Sequence, residues 1–135
     1  MTRVEDLIVA ARGAKLNAYA PYSVYSVGAA VLGADNQVYT GCNVENISYG
    51  LTICAERTAL VKMVSNGCRA FSHIVIATKD GGTPCGACRQ FMAEFCQKPD
   101  QVFVICISDS GQSSEFTLSE LLPHSFSSDL RKTQN

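Results

Sequence analysis

Two short, uninterrupted apolar runs place the strongest constraint on what this chain can fold into. Ile74-Val75-Ile76-Ala77 and Val102 to Ile107 contain no polar residue to turn toward water. Runs of that length read as strands buried on both faces, and such strands need helices above and below them. Between the two runs, after a loop over Lys79 to Thr83, Pro84 to Cys96 reads as a helix. Upstream, Val4, Leu7, Ile8 and Ala11 recur at helical spacing and predict a first helix running to about Ala18. Ala20-Pro21 ends it, because the residue before proline avoids helical geometry. Val27 to Leu32 reads as a strand, Ala34-Asp35-Asn36-Gln37 as a turn and Val38 to Cys42 as a returning strand. A loop, Asn43 to Leu51, leads to a helix from about Ile53 to Val64, closed by Asn66-Gly67. Ser110-Gly111 turns the chain into a weaker strand near Glu115 to Thr117. Thr117 and Glu120 stand at capping-box spacing for a short helix that stops at Pro123. The predicted order is α-β-β-α-β-α-β-(β)-α. It specifies an α/β fold of three layers, α-β-α, around a mixed sheet of about five strands.

The 135 residues fit one domain, 1–135, with little room for a second. Apolar residues make up 47% and charged residues 17%, which suits a packed core. The formal net charge is −1 and the pI about 6.1. A protein that tracks a phosphate backbone carries clustered basic residues, whereas here Lys and Arg are scattered and their only adjacent pair is Arg131-Lys132. Polymeric nucleic acid is therefore a poor substrate. No stretch approaches the roughly 18 apolar residues that span a bilayer, so no membrane partner is expected. Seven cysteines are an odd count without the spacing of a disulfide framework. They point to a reducing compartment, and the cytoplasm is the natural assignment.

The chemistry concentrates in Thr52-Ile53-Cys54-Ala55-Glu56 and Thr83-Pro84-Cys85-Gly86-Ala87-Cys88. Each opens a helix, with Thr52 and Thr83 as expected N-caps and Cys54 and Cys85 at the second helical position. Cys88 follows Cys85 by three residues and shares its helix face. Helix N-termini favour negative charge and lower thiol pKa values, so all three sulfurs are placed to become thiolates. Three thiolates can hold zinc at about 2.3 Å per sulfur and leave the fourth tetrahedral position open, as a catalytic site requires. Taken alone, a CxxC at a strand-to-helix junction reads as a redox motif or structural metal site about as readily as a catalytic one. The addition of Cys54-Ala-Glu56 at a second helix start favours catalytic zinc. Cys42, Cys68, Cys96 and Cys106 lie in or beside apolar runs and read as small core residues.

Glu56 has the type and position of a proton carrier beside a zinc site. On a regular helix it would point away from Cys54, so only a place at the helix start lets both reach one small volume. Arg57 answers a charge problem. Three thiolates on a dication leave one net negative charge, which opposes ionisation of a bound water, and an adjacent guanidinium offsets it. The second helix is apolar around most of its circumference through Ala55, Ala59, Leu60, Val61, Met63 and Val64. Such a helix in so small a domain is expected to meet another subunit.

Over nearly its full length the chain resembles the homotetrameric cytidine deaminases. The resemblance rests on AYAPYS (Ala18 to Ser23), VGAAVL (Val27 to Leu32), GCNVEN (Gly41 to Asn46), CAERTAL (Cys54 to Leu60), PCGACRQ (Pro84 to Gln90) and ELLPHSF (Glu120 to Phe126), in that order. It implies the cytidine deaminase-like fold, one Zn²⁺ per subunit on Cys54, Cys85 and Cys88, and Glu56 as the catalytic carboxylate. It further implies that Asn43 and Glu45 hold a ribose and that the Ala55 backbone contacts the pyrimidine. Phe126 would reach the base from a neighbouring subunit, giving a homotetramer with shared active sites. Tyr25 stands where the family commonly has phenylalanine beside the ring, and the loop before Pro84 looks short for the family.

The implied activity is hydrolytic deamination of cytidine and 2′-deoxycytidine to the uracil nucleosides, with release of ammonia, in pyrimidine salvage. The alternatives are a blasticidin-S-type deaminase, against which Glu45 after Asn43 favours a ribose, and a structural zinc or redox module without hydrolytic activity. A nucleic-acid editing deaminase is weaker, since those mostly use a His-x-Glu segment and need a basic channel.

Overall fold

The first helix sets one layer of the structure. In a computed structural model of the chain, which describes residues 3–127, α1 spans Val4–Lys15. Glu5 and Asp6 lie in its first turn and Arg12 and Lys15 in its last, matching the helix dipole. The predicted end near Ala18 is three residues too far. Leu16, Asn17 and Ala18 make tighter bonds to the carbonyls three residues back, and Tyr19 then leaves to pair with Val44.

Five strands form one sheet in the order β2-β1-β3-β4-β5. They are β1 (Gly28–Gly33), β2 (Val38–Cys42), β3 (Phe71–Ala77), β4 (Phe103–Ile107) and β5 (Ser113–Thr117). The pairings are antiparallel except β3 with β4, so the sheet is mixed as predicted. The β3–β4 pair is parallel because α3 (Gly86–Glu94) carries the chain back between them. Alternation along the central strands feeds two cores. Ala30, Val75, Ala77, Ile105 and Ile107 meet Leu7 and Ala11 of α1. Ala29, Val31, Ile74, Ile76, Val104 and Cys106 face the other way, into the larger core. That core includes Ala59, Leu60 and Met63 of α2 (Ala55–Ser65) and Cys88 and Met92 of α3. Helices thus cover both faces, which gives the three expected layers. A short α4 (Leu118–Leu121) follows β5, with Thr117 and Glu120 forming the predicted capping box. The Arg131-Lys132 pair lies outside the described residues.

Two glycines let the outer layers close onto the sheet. A Cβ at Gly28 would stand 2.1 Å from the Ala11 carbonyl oxygen of α1. A Cβ at Gly41 would stand 2.5 Å from the Ala59 nitrogen and 2.8 Å from the Ala55 carbonyl oxygen. The start of α2, where Cys54 and Glu56 sit, is flush against β2 for that reason. The second helix buries Ala55, Glu56, Ala59, Leu60 and Met63, while Val61 remains 44% exposed.

Candidate active site

Both halves of the site begin where an extended segment turns into a helix, one residue pair later than the sequence suggests. Cys54 and Cys85 are themselves the N-caps, at φ −71°, ψ 153° and φ −68°, ψ 166°. Thr52 and Thr83 do not cap these helices. Ile53 exchanges backbone hydrogen bonds with Val44, which keeps the chain extended up to Cys54. Thr52 Oγ1 accepts from the Asn46 N–H instead. Arg89 donates to the Pro84 carbonyl at 2.8 Å, to Thr83 Oγ1 at 3.2 Å and to the Leu121 carbonyl at 2.8 Å, which holds the second approach straight. A side chain at an N-cap lies over the unpaired N–H groups of the first turn, where negative charge is stabilised.

The fold brings the three sulfurs together from these two helix starts. Cys54, Cys85 and Cys88 Sγ lie within 4.8 Å of one another, and Cys54 Sγ is 4.0 Å from Cys85 Sγ. A tetrahedral zinc with bonds of about 2.3 Å sets its sulfurs about 3.8 Å apart, so the trio fits the ion with a contraction of about 1 Å or less. Among the described residues no other group of three or more His, Cys, Asp or Glu side chains is so placed. Cys88 is buried and Cys85 exposed, so the cluster opens to the surface on one side.

Its electrostatics suit a dication. A hydrogen bond from Cys88 draws the Cys54 thiol down to about 5, against the effect of burial, and Arg57 adds to the lowering. Cys88 is held up as the donor of that bond and by its own burial. Arg57 Nη2 stands 3.5 Å from Cys54 Sγ and 3.4 Å from the Thr52 carbonyl, while its buried Nε has no hydrogen-bond partner. Glu56 is 5% exposed. Burial pushes its carboxyl up to about 7, and the Cys54 charge adds to the rise. A carboxyl so tuned can both take and return a proton near neutral pH. Because Cys54 is a cap and not a helical residue, the opposition between Cys54 and Glu56 expected on a regular helix does not arise.

The residues predicted to meet the substrate come from the start of α2, the segments before β1 and after β2, and the segment after α4. Ala55 is fully buried at the first position of α2. Asn43 is buried, donates to the Tyr25 carbonyl at 2.8 Å and accepts from the Val27 N–H at 2.9 Å. Each of its polar atoms keeps capacity for one more hydrogen bond. Glu45 Oε1 accepts from the N–H groups of Tyr22 and Ser23 at 2.9 and 3.1 Å, and its other oxygen accepts from Ser23 Oγ. Asn43 and Glu45 thus serve the same loop, as their common orientation in an extended segment requires. Glu45, Tyr22, Ser23, Tyr49 and Thr52 line a cleft of about 420 Å³. Tyr25 is 37% exposed and donates to Asp80. Phe126 is 82% exposed, its carbonyl tied to Gln90 Nε2 at 3.0 Å.

The chain's likeness to known proteins agrees with this geometry. Residues 1–106 match the family described as the cytidine and deoxycytidylate deaminase zinc-binding region. The cytidine deaminase of Sporosarcina psychrophila is 45% identical over 126 residues, 92% of this chain and 91% of its own length. That of Halalkalibacterium halodurans is 48% identical over 125 residues, 91% and 93% respectively. The crystal structure of cytidine deaminase from Burkholderia pseudomallei superposes with a TM-score of 0.86 at 44% identity, over 93% of this chain and all of that one. The chain belongs to the cytidine and deoxycytidylate deaminase zinc-binding family.

Within this family member, three features of the site escape sequence reasoning. Asp80, Ser23 and Arg89 each hold a segment that carries or flanks a predicted site residue. Ser23 and Arg89 fall inside the matched segments AYAPYS and PCGACRQ, so their positions carried a signal. Asp80 lies in the loop before Pro84, where nothing in the sequence marks it. No helix among the described residues is long and apolar enough to cross a membrane.

Proposed function

We infer that the chain catalyses hydrolytic deamination of cytidine and 2′-deoxycytidine, giving the uracil nucleoside and ammonia. The observation that carries this reading is the convergence of Cys54, Cys85 and Cys88 from two helix starts beside the buried carboxyl of Glu56. Cys54, Cys85 and Cys88 would hold one zinc ion per subunit, whose Lewis acidity brings the pKa of a water from 15.7 to about 7. Glu56 accepts a proton from the attacking water and passes it to N3 of the base. The water oxygen bonds to C4 as N3 takes that proton and the C4–N3 double bond opens. Glu56 then takes the remaining proton of the new C4 hydroxyl and hands it to N4, so that the C4 carbonyl forms as the C4–N4 bond breaks and ammonia leaves. One buried carboxyl acts as base and acid in turn, as a positioned proton carrier can. Arg57 offsets the excess negative charge of three thiolates. Asn43 and Glu45 hold the ribose, the Ala55 backbone meets the pyrimidine and Tyr25 flanks the ring.

The exposed Phe126 supports completion of each site by a neighbouring subunit, in a homotetramer. Val44, Ile47, Tyr49, Leu51 and Ile53 are large apolar residues exposed next to the cleft, and burial against further copies would remove them from water. Seven free cysteines suit the reducing cytoplasm, where nucleoside salvage takes place.

Zinc stoichiometry combined with an ultraviolet assay on cytidine tests the reading. One zinc per chain, with loss of the cytosine band and equimolar ammonia, is expected. A zinc-loaded protein that leaves cytidine unchanged overturns it.

A further inference from the structure

One carboxylate outside the metal cluster has its partner on the substrate side of the site. Asp80 lies on the loop between β3 and the Cys85 helix start, and its Oδ1 accepts from the Tyr25 hydroxyl at 2.6 Å. The same oxygen accepts from the Gly82 N–H at 3.2 Å and from Thr78 Oγ1 at 3.4 Å. Thr78 Oγ1 in turn accepts from the N–H groups of Gly81 and Gly82 at 2.7 and 3.0 Å. A backbone bridge to Ser108 anchors Asp80 from behind. Although exposed, the carboxylate is therefore set in a fixed place by its own loop.

Tyr25 comes from a segment that needs such a hold. Val24, just before it, has φ 56°. A β-branched side chain in the left-handed region is a strained conformation that persists only when the surroundings impose it. Glu45 holds Tyr22 and Ser23 on one side of Val24. On the other side, Ser23 Oγ accepts from the Tyr25 N–H at 3.0 Å, and Asn43 donates to the Tyr25 carbonyl at 2.8 Å. These contacts fix the Tyr25 backbone, and the bond to Asp80 fixes the far end of its ring. A phenyl ring there would need no partner, but a half-dry tyrosine hydroxyl does.

We propose that Asp80 is a positioning residue for nucleoside binding, locking the Tyr25 ring as one wall of the substrate site and tying that wall to the loop that leads to Cys85. The inference rests on the deaminase reading above. The burial of Tyr25 and the bond to Asp80 both raise the pKa of its hydroxyl, and the Tyr25 bond lowers that of Asp80, as a maintained pair requires.

Steady-state kinetics on cytidine, with zinc content measured for every variant, tests the pair through a double-mutant cycle. Asp80→Ala should raise KM about fivefold, the effect of one ordinary intramolecular hydrogen bond, and change kcat by less than about twofold. Asp80→Asn keeps an acceptor in place and should recover most of the loss. In a Tyr25→Phe background the Asp80→Ala change should leave KM where Tyr25→Phe alone puts it. An equal KM rise in both backgrounds overturns the proposal, because the effect then does not pass through the tyrosine hydroxyl. An unmoved KM, or a kcat that falls with zinc content, overturns it as well. A zinc-loaded parent inert on cytidine sinks the deaminase reading itself, whereas an active parent with a flat cycle sinks the Asp80–Tyr25 pair alone.

Discussion

Val44 and Ile53 exchange both backbone hydrogen bonds, each 2.9 Å long. One residue beyond this pair on one strand is Glu45, and one residue beyond it on the other is Cys54. Tyr19 pairs with Val44 from the opposite side, donating to the Asn43 carbonyl at 3.0 Å and accepting from the Glu45 N–H at 2.9 Å. Three short extended pieces therefore hold the substrate-side segment and the first metal-ligand segment in one register. A slip of a single residue would displace Cys54 by about 3.3 Å and turn its side chain to the other face.

Glu56→Gln should retain zinc and fold but lose about two to four orders of magnitude in kcat, the usual share of a positioned proton carrier. The amide is nearly isosteric with the carboxyl that burial holds near neutrality, so a loss of turnover would reflect proton transfer alone. Rates on cytidine alongside metal analysis check it. Turnover within about tenfold of the parent would remove Glu56 from that role.

Alanine at Cys54, Cys85 or Cys88 should lower bound zinc and activity together, since three sulfurs at these distances act as one chelate. Cys42→Ala and Cys96→Ser should leave the zinc-to-protein ratio unchanged, because neither belongs to the cluster. Metal analysis after dialysis against a mild chelator reads both arms. A full zinc complement in Cys54→Ala would mean that the third ligand lies elsewhere.

Gly41→Ala should destabilise the chain by about 3 kcal/mol, at the upper end of overpacking costs. The added methyl would press on backbone atoms of α2, at Ala59 N and the Ala55 carbonyl, which cannot rotate away as a side chain can. The displaced helix start carries Cys54 and Glu56, so zinc retention should fall with stability. Urea melts and metal analysis test the two effects. A variant as stable as the parent would show that α2 moves freely on β2.

Phe126→Ala should raise KM for cytidine about tenfold while leaving zinc in place, if the ring stacks on substrate across a subunit boundary. The residue stands 82% exposed in the single chain, with its backbone anchored by Gln90. At subsaturating cytidine, mixing Phe126→Ala chains with Glu56→Gln chains should restore part of the activity. Some mixed sites combine an intact Glu56 with a neighbour's intact Phe126. Light scattering gives an independent measure, and a fully active monomer would end the shared-site reading.

Most local patterns were readable from sequence, the caps of α2 and α3 and the end of α1 excepted. The five strands and four helices follow from runs and periodicities that span a few residues each. The Thr117–Glu120 capping box and the cysteines at the helix starts are likewise short-range signals. Which face each strand residue presents follows from the two-residue alternation, so Ala29 and Ala30 part to opposite cores as the pattern dictates. Tertiary structure decided what depends on residues far apart in the chain. Cys54 became a cap, and not a helical residue, because Ile53 is committed to Val44, and Cys85 because Arg89 holds Thr83 and Pro84. Glu56 acquired its raised pKa because the folded packing leaves it only 5% exposed, beside the Cys54 charge. Asp80 found Tyr25 across 55 residues of chain. A hydrogen bond over that span has no period and no local propensity, so only the folded packing brings its two ends together.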